Sequence, residues 1–283
     1  MPHPGGLAMI VFVLDPNMPT SILTELRGGV LRVTLNRPEV HNAFDEGMVE
    51  GLRQAVERAA GEREIRSVLL AGAGPSFCSG AHIGWMKEQG SAGEDENHRS
   101  AERLARLFLE IDRLPKPVVG RIQGSVMGGG LGLTAACDVA IAASNARFSL
   151  GEMKLGIVPS LIVPYVIRKI GHGQTRELML TGRRLTGEEA ARIGLVGRAV
   201  EPSLLDAAVE ATLSEILRGG PQALAEAKDL LRRLEAEALS GDDLVRITAE
   251  VFARLRAGDE ARAGFSAFLE KTSPPWVSEA EGT

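Results

Sequence analysis

The chain alternates between two hydrophobic periods up to about residue 200. Short apolar runs rich in β-branched residues are typical of buried strands. Such runs lie at 21–25, 30–35, 67–71, 117–122 and 138–143. Between them, apolar residues return with helical spacing, as at Met48, Leu52 and Val56. Because strands that alternate with helices are typical of α/β proteins, the pattern predicts an α/β core over residues 21–201.

Only the helical period continues after Pro202. The predicted helices span about 203–217, 221–239, 242–257 and 259–270. Residues 202–283 are therefore predicted to form an all-helical C-terminal part. Residues 1–20 are predicted to be a leader outside the core or an extension of the first strand, since no Lys or Arg precedes their apolar stretch as in a signal peptide. The polar residues 90–97 are predicted to form a mobile loop.

The composition is ordinary for a soluble globular protein. The 283 residues are 44% hydrophobic and 24% charged, with a net charge of −5. This acidic balance argues against a nucleic-acid partner, and no apolar run is long enough to span a bilayer. Cys78 and Cys137 do not make a disulfide framework and favour a cytoplasmic location. The five histidines lack the paired spacing of metal ligands, so no metal site is predicted.

The stretch from Gly124 to Glu152 carries the candidate chemistry. Its three glycines, 128–130, follow a predicted strand and open a predicted helix. The first N–H groups of a helix have no partner within the helix, and glycines let a ligand approach that backbone closely. Glu152 follows about twenty residues later, among glycine and apolar residues. The residues alone leave two interpretations open: an anion-binding site beside an acid, or a tight turn and a surface carboxylate.

Several ordered motifs resemble those of a known family. They are the segments 35–38 with 42–43, 77–81, 124–160, which includes GSVMGGGLGLTAACD and ARFSLGEMKLGIVPS, and 181–196. From about Gly29 to Lys271 the chain resembles the enoyl-CoA hydratase/isomerase (crotonase) family. The resemblance implies a spiral of ββα turns with a helical tail, assembly as trimers or hexamers, and an acyl-CoA thioester as substrate. The CoA belongs to the substrate, so no separate cofactor is expected.

The resemblance also implies roles in catalysis. Chemistry at C2 or C3 of a thioester passes through an enolate-like state, which two backbone N–H donors aimed at the thioester oxygen stabilise. By motif position, the donors are Ala81 and Gly129, and Glu152 moves a proton at C2. Apolar neighbours are expected to raise the pKa of Glu152. The alternatives are a packing role for Ala81 and a surface ion pair between Glu152 and Lys154.

The resemblance places a larger set of residues at the substrate. These are Arg37, Ala43, Ala81, His82, Ile83, Gly128, Gly129, Gly132 and Lys271. Arg37 and Lys271 are candidates for contact with the CoA phosphates, and the segment 81–83 is expected near the CoA adenine. His82 stands where the family usually has Asp. A role in proton exchange and a loop histidine without a chemical role are both open.

Gly132 departs from the family pattern. Many hydratases of the family carry a second glutamate there, and two acids suit hydration because one activates water while the other protonates carbon. A single carboxylate also suits an isomerase that moves a double bond. Because the surrounding motif resembles bacterial methylglutaconyl-CoA and carboxygeranoyl-CoA hydratases, we predict a hydratase, with an isomerase and a non-catalytic CoA-thioester binder as alternatives. Gly132 is further expected to leave space for a branched or carboxylated acyl group.

Overall fold

Strands and helices alternate through the first two hundred residues of the computed structural model, which describes residues 21–236 and 239–277. The strands are β1 (Ile22–Arg27), β2 (Val30–Leu35), β3 (Ser67–Gly72), β4 (Val118–Ile122), β5 (Ser125–Met127), β6 (Val139–Ala143), β7 (Arg147–Ser149), β8 (Leu185–Thr186) and β9 (Arg198–Val200). The helices are α1 (Glu46–Gly61), α2 (Ile83–Ser91), α3 (Glu94–Arg113), α4 (Gly129–Ala136), α5 (Val163–Thr181), α6 (Gly187–Arg192), α7 (Leu205–Leu217), α8 (Pro221–Ala236), α9 (Gly241–Arg256) and α10 (Asp259–Glu270). The predicted leader, residues 1–20, lies outside the described residues.

The two sheets grow in chain order. In the larger sheet the order β1-β2-β3-β4-β6-β9 adds each new strand at the same edge, and every pair after the antiparallel β1–β2 hairpin is parallel. The smaller sheet has the order β5-β7-β8. Two isolated β-bridges lie outside the strands and extend the pairing toward the smaller sheet. They join Phe44 to Ala81, and Cys78 to Val126 of β5. The predicted α/β spiral of ββα turns, followed by helices alone, is thereby confirmed.

The buried strand β3 lies at the centre of the core, between helices on both of its faces. β3 is buried at five of its six positions, as expected of an interior parallel strand that is covered on both faces. One of these faces packs against α7 through Leu205, Val209 and Leu213. On the other side α1 begins where the Asp45 carboxylate accepts the Met48 N–H at 2.9 Å. Asp is one of the residues preferred at this capping position, because its carboxylate accepts an N–H that has no partner within the helix.

One local prediction is wrong. Residues 90–97 do not form a loop, because α2 runs to Ser91 and α3 begins at Glu94. Gly93 turns the chain between these helices with a φ of 92°, and acidic residues follow it in the first turn of α3, where the helix dipole favours negative charge. α5 is broken at Gly171, where φ is 72° and ψ is 169°, so it consists of two helical segments.

The C-terminal helices attach to the core partly through polar contacts. The ammonium group of Lys228 in α8 donates to Asp138 Oδ2 at 2.6 Å and to the carbonyl oxygen of Lys116 at 3.0 Å. Helices α8–α10 leave several large apolar side chains exposed: Leu231, Leu244, Val245, Phe252, Phe265, Phe268 and Leu269. No helix within residues 21–236 and 239–277 is both long and apolar enough to cross a membrane.

Candidate active site

A cavity of about 410 Å³ lies between α2, α3, the start of α4 and the turn after β7. Its apolar wall includes Phe44, Ile83, Met86, Leu104, Phe108, Leu155, Ile157, Leu161 and Ile162. Its polar side chains are Ser79, Ser149, Glu152, Lys154 and Arg184. A mostly apolar cavity with a few convergent polar groups is typical of a small-molecule site. A second cavity, of about 500 Å³, lies beside α8 and contains charges that are already paired, such as Asp138 with Lys228.

The backbone N–H of Ala81 is left free by the way its loop pairs with Phe44. The Phe44 N–H donates to the Gly80 carbonyl at 2.7 Å, and the His82 N–H donates to the Phe44 carbonyl at 2.8 Å. Both neighbours of Ala81 therefore bond toward Phe44, and Ala81 itself faces the other way. In the described part of the chain its N–H has no backbone acceptor, and Ala81 lines the cavity.

The second free N–H belongs to Gly129, the first residue of α4. A residue at this position has no acceptor within its helix, and none of the described carbonyls accepts the Gly129 N–H. A β-carbon on Gly80 would lie 3.5 Å from the Gly129 nitrogen, so the loop before Ala81 and the start of α4 are adjacent. A β-carbon on Gly129 itself would lie 2.5 Å from Phe44 Cε2. Glycine is therefore required there by packing.

Glu152 reaches the same place from the turn after β7. A β-carbon on Gly128, which has a φ of 47°, would lie 2.6 Å from Glu152 Oε1. The other oxygen, Oε2, is buried and has no hydrogen-bond partner among the described residues. Burial raises the pKa of Glu152 above its ordinary value, against the opposing effect of the backbone N–H groups of Glu152 and Gly151. The alternative ion pair with Lys154 is absent from the described residues.

Comparison with known proteins identifies the family. The profile of the family described as "Enoyl-CoA hydratase/isomerase" matches residues 25–279. The chain belongs to this family. It is 33% identical over 248 residues to a putative enoyl-CoA hydratase of Thermus thermophilus, covering 88% of this chain and 97% of that protein. It is 31% identical over 247 residues to the 2,3-dehydroadipyl-CoA hydratase of Escherichia coli, covering 87% of this chain and 94% of that protein.

Solved structures agree with the family profile. The crystal structure of an enoyl-CoA hydratase from Shewanella pealeana matches this chain with a TM-score of 0.87 at 36% identity, covering 91% of this chain and 96% of that one. The spiral of ββα turns is therefore the fold of the enoyl-CoA hydratase/isomerase family, as the resemblance implied.

Gly132 is the position at which this member of the enoyl-CoA hydratase/isomerase family lacks the second glutamate. It lies inside α4 and is not part of the cavity lining. A β-carbon there would lie 2.2 Å from Ile162 Cγ2 and 3.0 Å from Phe108 Cε1. The expectation that Gly132 leaves space for an acyl group is therefore wrong, because Ile162 already occupies that space.

Within the segment 81–83, His82 has a role in the fold, whereas Ile83 lines the cavity. His82 precedes α2, and its Nδ1 accepts the Trp85 N–H at 3.4 Å. This contact gives the histidine a structural role as a helix cap. Ile83 is 61% exposed and lines the cavity. The contact with CoA that the resemblance implies for His82 stays a prediction.

The other predicted contacts of CoA lie away from the cavity lining. The Arg37 guanidinium forms an ion pair with Asp45 at 2.5 Å and donates to the carbonyl oxygen of Ala43 at 3.1 Å. It thereby fixes the loop before α1. Lys271 follows α10 in a left-handed conformation with a φ of 57°. Their proposed contacts with CoA phosphates stay predictions.

The cavity is also lined by two basic residues that were not assigned to the substrate from the sequence. They are Lys154, two residues after Glu152, and Arg184, in the segment before β8. Arg183 and Arg184 are indistinguishable as a sequence pair, and only the fold shows which of them faces the cavity. The cavity thus brings together two N–H donors, one carboxylate of raised pKa and two cations.

Proposed function

We propose that the protein is an enoyl-CoA hydratase, which adds water across the 2,3 double bond of an acyl-CoA thioester and needs no cofactor beyond the CoA of its substrate. The observation that carries the proposal is the position of Glu152. Its carboxylate lines the cavity that also receives the N–H groups of Ala81 and Gly129, and one of its oxygens has no partner among the described residues. The relatives described as enoyl-CoA hydratases support this choice of reaction.

The proposed chemistry uses the Glu152 carboxylate and both N–H groups. The Glu152 carboxylate accepts a proton from water while the water oxygen bonds to C3, and the electrons of the double bond move onto the thioester oxygen. The N–H groups of Ala81 and Gly129 stabilise that negative charge. As the enolate collapses, Glu152 returns the proton to C2, so the product gains one water and the carboxylate is restored. The raised pKa of Glu152 suits both proton transfers, because it brings acid and base forms closer to balance near neutral pH.

An enoyl-CoA isomerase is the second candidate, favoured by the wall around Gly132. Among the described residues that line the cavity, Glu152 is the only acid. Ile162 stands where a second carboxylate at position 132 would extend. One carboxylate is enough to take a proton from C2 of a 3-enoyl thioester and return it to C4. The same two N–H groups would stabilise the enolate between these steps.

A panel of 2-enoyl- and 3-enoyl-CoA thioesters distinguishes the candidates. A hydratase lowers the absorbance of the conjugated 2-enoyl thioester, and its product is heavier by one water. An isomerase raises that absorbance with a 3-enoyl substrate and leaves the mass unchanged. Binding without either change would contradict both and would leave a non-catalytic CoA-thioester binder.

The acyl group is proposed to be branched or carboxylated. Gly132 no longer supports this choice, since its surroundings are filled. One relative at 31% identity is described as a 2,3-dehydroadipyl-CoA hydratase, a name that denotes a dicarboxylic acyl group. The cations that line the cavity are compatible with such a group.

The protein is further proposed to assemble as a trimer or hexamer in the cytoplasm. The apolar side chains that α10 exposes, with Phe268 at 83% and Leu269 at 79%, support a subunit interface. Cys78 and Cys137 are free and buried, in keeping with a reducing compartment. Light scattering at micromolar concentration is expected to give a mass that is a multiple of three subunits. A monomeric mass would contradict the assembly.

A further inference from the structure

Lys154 and Arg184 are the two basic side chains that line the cavity, and neither has an anionic partner among the described residues. Within residues 21–236 and 239–277, neither side chain forms an ion pair or a hydrogen bond. The neighbouring Arg183 contrasts with them: its Nε lies 2.6 Å from Glu177 Oε1, and its Nη1 lies 3.6 Å from Glu189 Oε1. The fold therefore neutralises one arginine of the pair and leaves the other facing the cavity.

The fold holds both cations close to Glu152. β8 pairs antiparallel with β7, with Leu185 opposite Phe148, and this register brings Arg184 to the end of β7 that leads to Glu152. On the same side, the Lys154 ammonium nitrogen lies 3.4 Å from the place that a β-carbon on Gly182 would take.

Ser149 stabilises the junction between β7 and the segment before β8 with two hydrogen bonds. Its hydroxyl donates to the Gly182 carbonyl oxygen at 3.1 Å, and its own carbonyl accepts the Gly128 N–H at 3.1 Å. Lys154 and Arg184 are thus set on the same strand junction that carries Glu152.

A negatively charged group of the substrate would pair with Lys154 and Arg184. An acyl-CoA in the cavity would place its thioester at the N–H groups of Ala81 and Gly129 and its reacting carbons at Glu152. The parts of the substrate beyond those atoms then come close to the junction of β7 and β8. Glu152 does not satisfy the cations, as it forms no ion pair with either in the described structure.

We propose that Lys154 and Arg184 form a cationic subsite for a negatively charged group of the substrate. This inference rests on the proposed function, because it requires an acyl-CoA in the cavity. The anionic group is either a carboxylate at the far end of the acyl chain or a phosphate of CoA. Both would accept hydrogen bonds from an ammonium and a guanidinium group.

The test compares Lys154→Gln, Arg184→Gln and their double variant with the control Arg183→Gln. The substrates are a six-carbon 2-enoyl-CoA, the same thioester with a terminal carboxylate, and the neutral acyl group on pantetheine, which lacks the CoA phosphates. Because both cations are at the cavity rim, each is expected to contribute a few-fold and the pair roughly tenfold in KM. Arg183→Gln is expected to keep the parental ratio of KM values between substrates, since its charge is already paired.

The pattern of KM values identifies the anion. If the subsite holds a carboxylate, the double variant loses roughly tenfold in preference for the carboxylated over the neutral CoA thioester. If it holds a phosphate, the double variant instead loses the preference for CoA over pantetheine thioesters. Equal changes for all three substrates, or the same change in Arg183→Gln, would overturn the subsite.

Binding measurements separate this inference from the proposed function. Calorimetry with the saturated thioesters, which cannot be hydrated, tests the subsite without turnover. Preferential binding that depends on Lys154 and Arg184, in a protein that adds no water to any enoyl-CoA, would retain the subsite and overturn the hydratase. Failure to bind any of these thioesters would overturn both.

Discussion

Gly128 and Gly132 lie one helical turn apart at the start of α4, and their surroundings differ in kind. At Gly128 the missing side chain makes room for the Glu152 carboxylate, which would lie 2.6 Å from a β-carbon. At Gly132 the missing side chain makes room for Ile162, 2.2 Å from a β-carbon. The same residue type thus admits a polar group at one position and an apolar one at the other.

The surroundings of Gly128 belong to the reactive side of α4, and those of Gly132 belong to its packed side. Near Gly128, a buried carboxylate oxygen lacks a partner among the described residues, an arrangement that costs stability and is retained where function needs it. Near Gly132, apolar side chains fill the available space, and this packing stabilises the fold. Substitutions on the two sides should therefore change different quantities: turnover on the first and the free energy of unfolding on the second.

The largest expected effect is that of Glu152→Gln on turnover. Removing the group that exchanges protons with water and C2 should lower kcat roughly 10²–10⁴-fold. Binding of a saturated acyl-CoA, measured by calorimetry, should stay close to that of the parent protein, because the shape of the side chain is kept.

Glu188→Gln provides the matched control, since Glu188 is exposed on α6 and does not line the cavity. Its kcat should match that of the parent protein. A Glu152→Gln variant that keeps near-normal kcat would show that this carboxylate does not move the proton.

The next effect is that of Gly128→Ala, which tests the contact with the carboxylate. The new methyl group would lie 2.6 Å from Glu152 Oε1, and the φ of 47° is one that alanine rarely adopts. A displacement of about 1 Å in a reacting group can cost about 10²-fold in rate, so we expect kcat to fall by about that factor. Gly61→Ala, at a helix end with open space around it, is the control. Equal kcat values for the two variants would refute the contact.

Much of this arrangement is predictable from sequence, because it depends on local pattern. The strands follow from apolar runs, the cap at Asp45 from its position, and the candidate set of Ala81, Gly129 and Glu152 from motifs. These three residues do line one cavity, while their roles stay predictions. The contact of Gly132 with Ile162 joins residues thirty positions apart and has no local signal.

The two adjacent arginines show the same limit. The pairing of Arg183 with Glu177 depends on how the end of α5 is oriented against the segment before β8, and residue type contains no information about that orientation. The wrong loop at 90–97 has a different cause. Its polar composition suits an exposed helix start as well as a loop, and only the position of Gly93 distinguishes them.

On the packed side, Gly132→Ala is expected to lower the free energy of unfolding. A methyl group 2.2 Å from Ile162 Cγ2 forces Ile162 or the helix to move, and such overpacking typically costs about 1–3 kcal/mol. An alanine in an open helical position would instead stabilise by up to about 1 kcal/mol. Urea unfolding at one fixed protein concentration measures the sign. A stabilised variant would show that this side is not tightly packed.

Gly132→Glu extends the same test to activity. The glutamate must displace Ile162, so hydration should fall for neutral and carboxylated thioesters alike. Combining it with Ile162→Ala frees the space and lets the second carboxylate reach the cavity. The double variant should then hydrate crotonyl-CoA faster than Gly132→Glu alone. If the single variant already exceeds the parent protein, Ile162 does not obstruct a second acid.

The smallest expected effect is a pH-dependent difference in stability between Glu152→Gln and the parent protein. Burial raises the pKa of Glu152 above 4.5, so the folded protein binds this proton more tightly than the unfolded chain does. The protonated carboxyl thus favours folding below pH 4.5, and this contribution is lost as pH rises through the folded pKa. The amide of glutamine has no such titration. Urea unfolding across pH should therefore show the variant gaining stability relative to the parent protein as pH rises from 4 toward 7, whereas a flat difference would mean that the cavity does not destabilise the charged carboxylate.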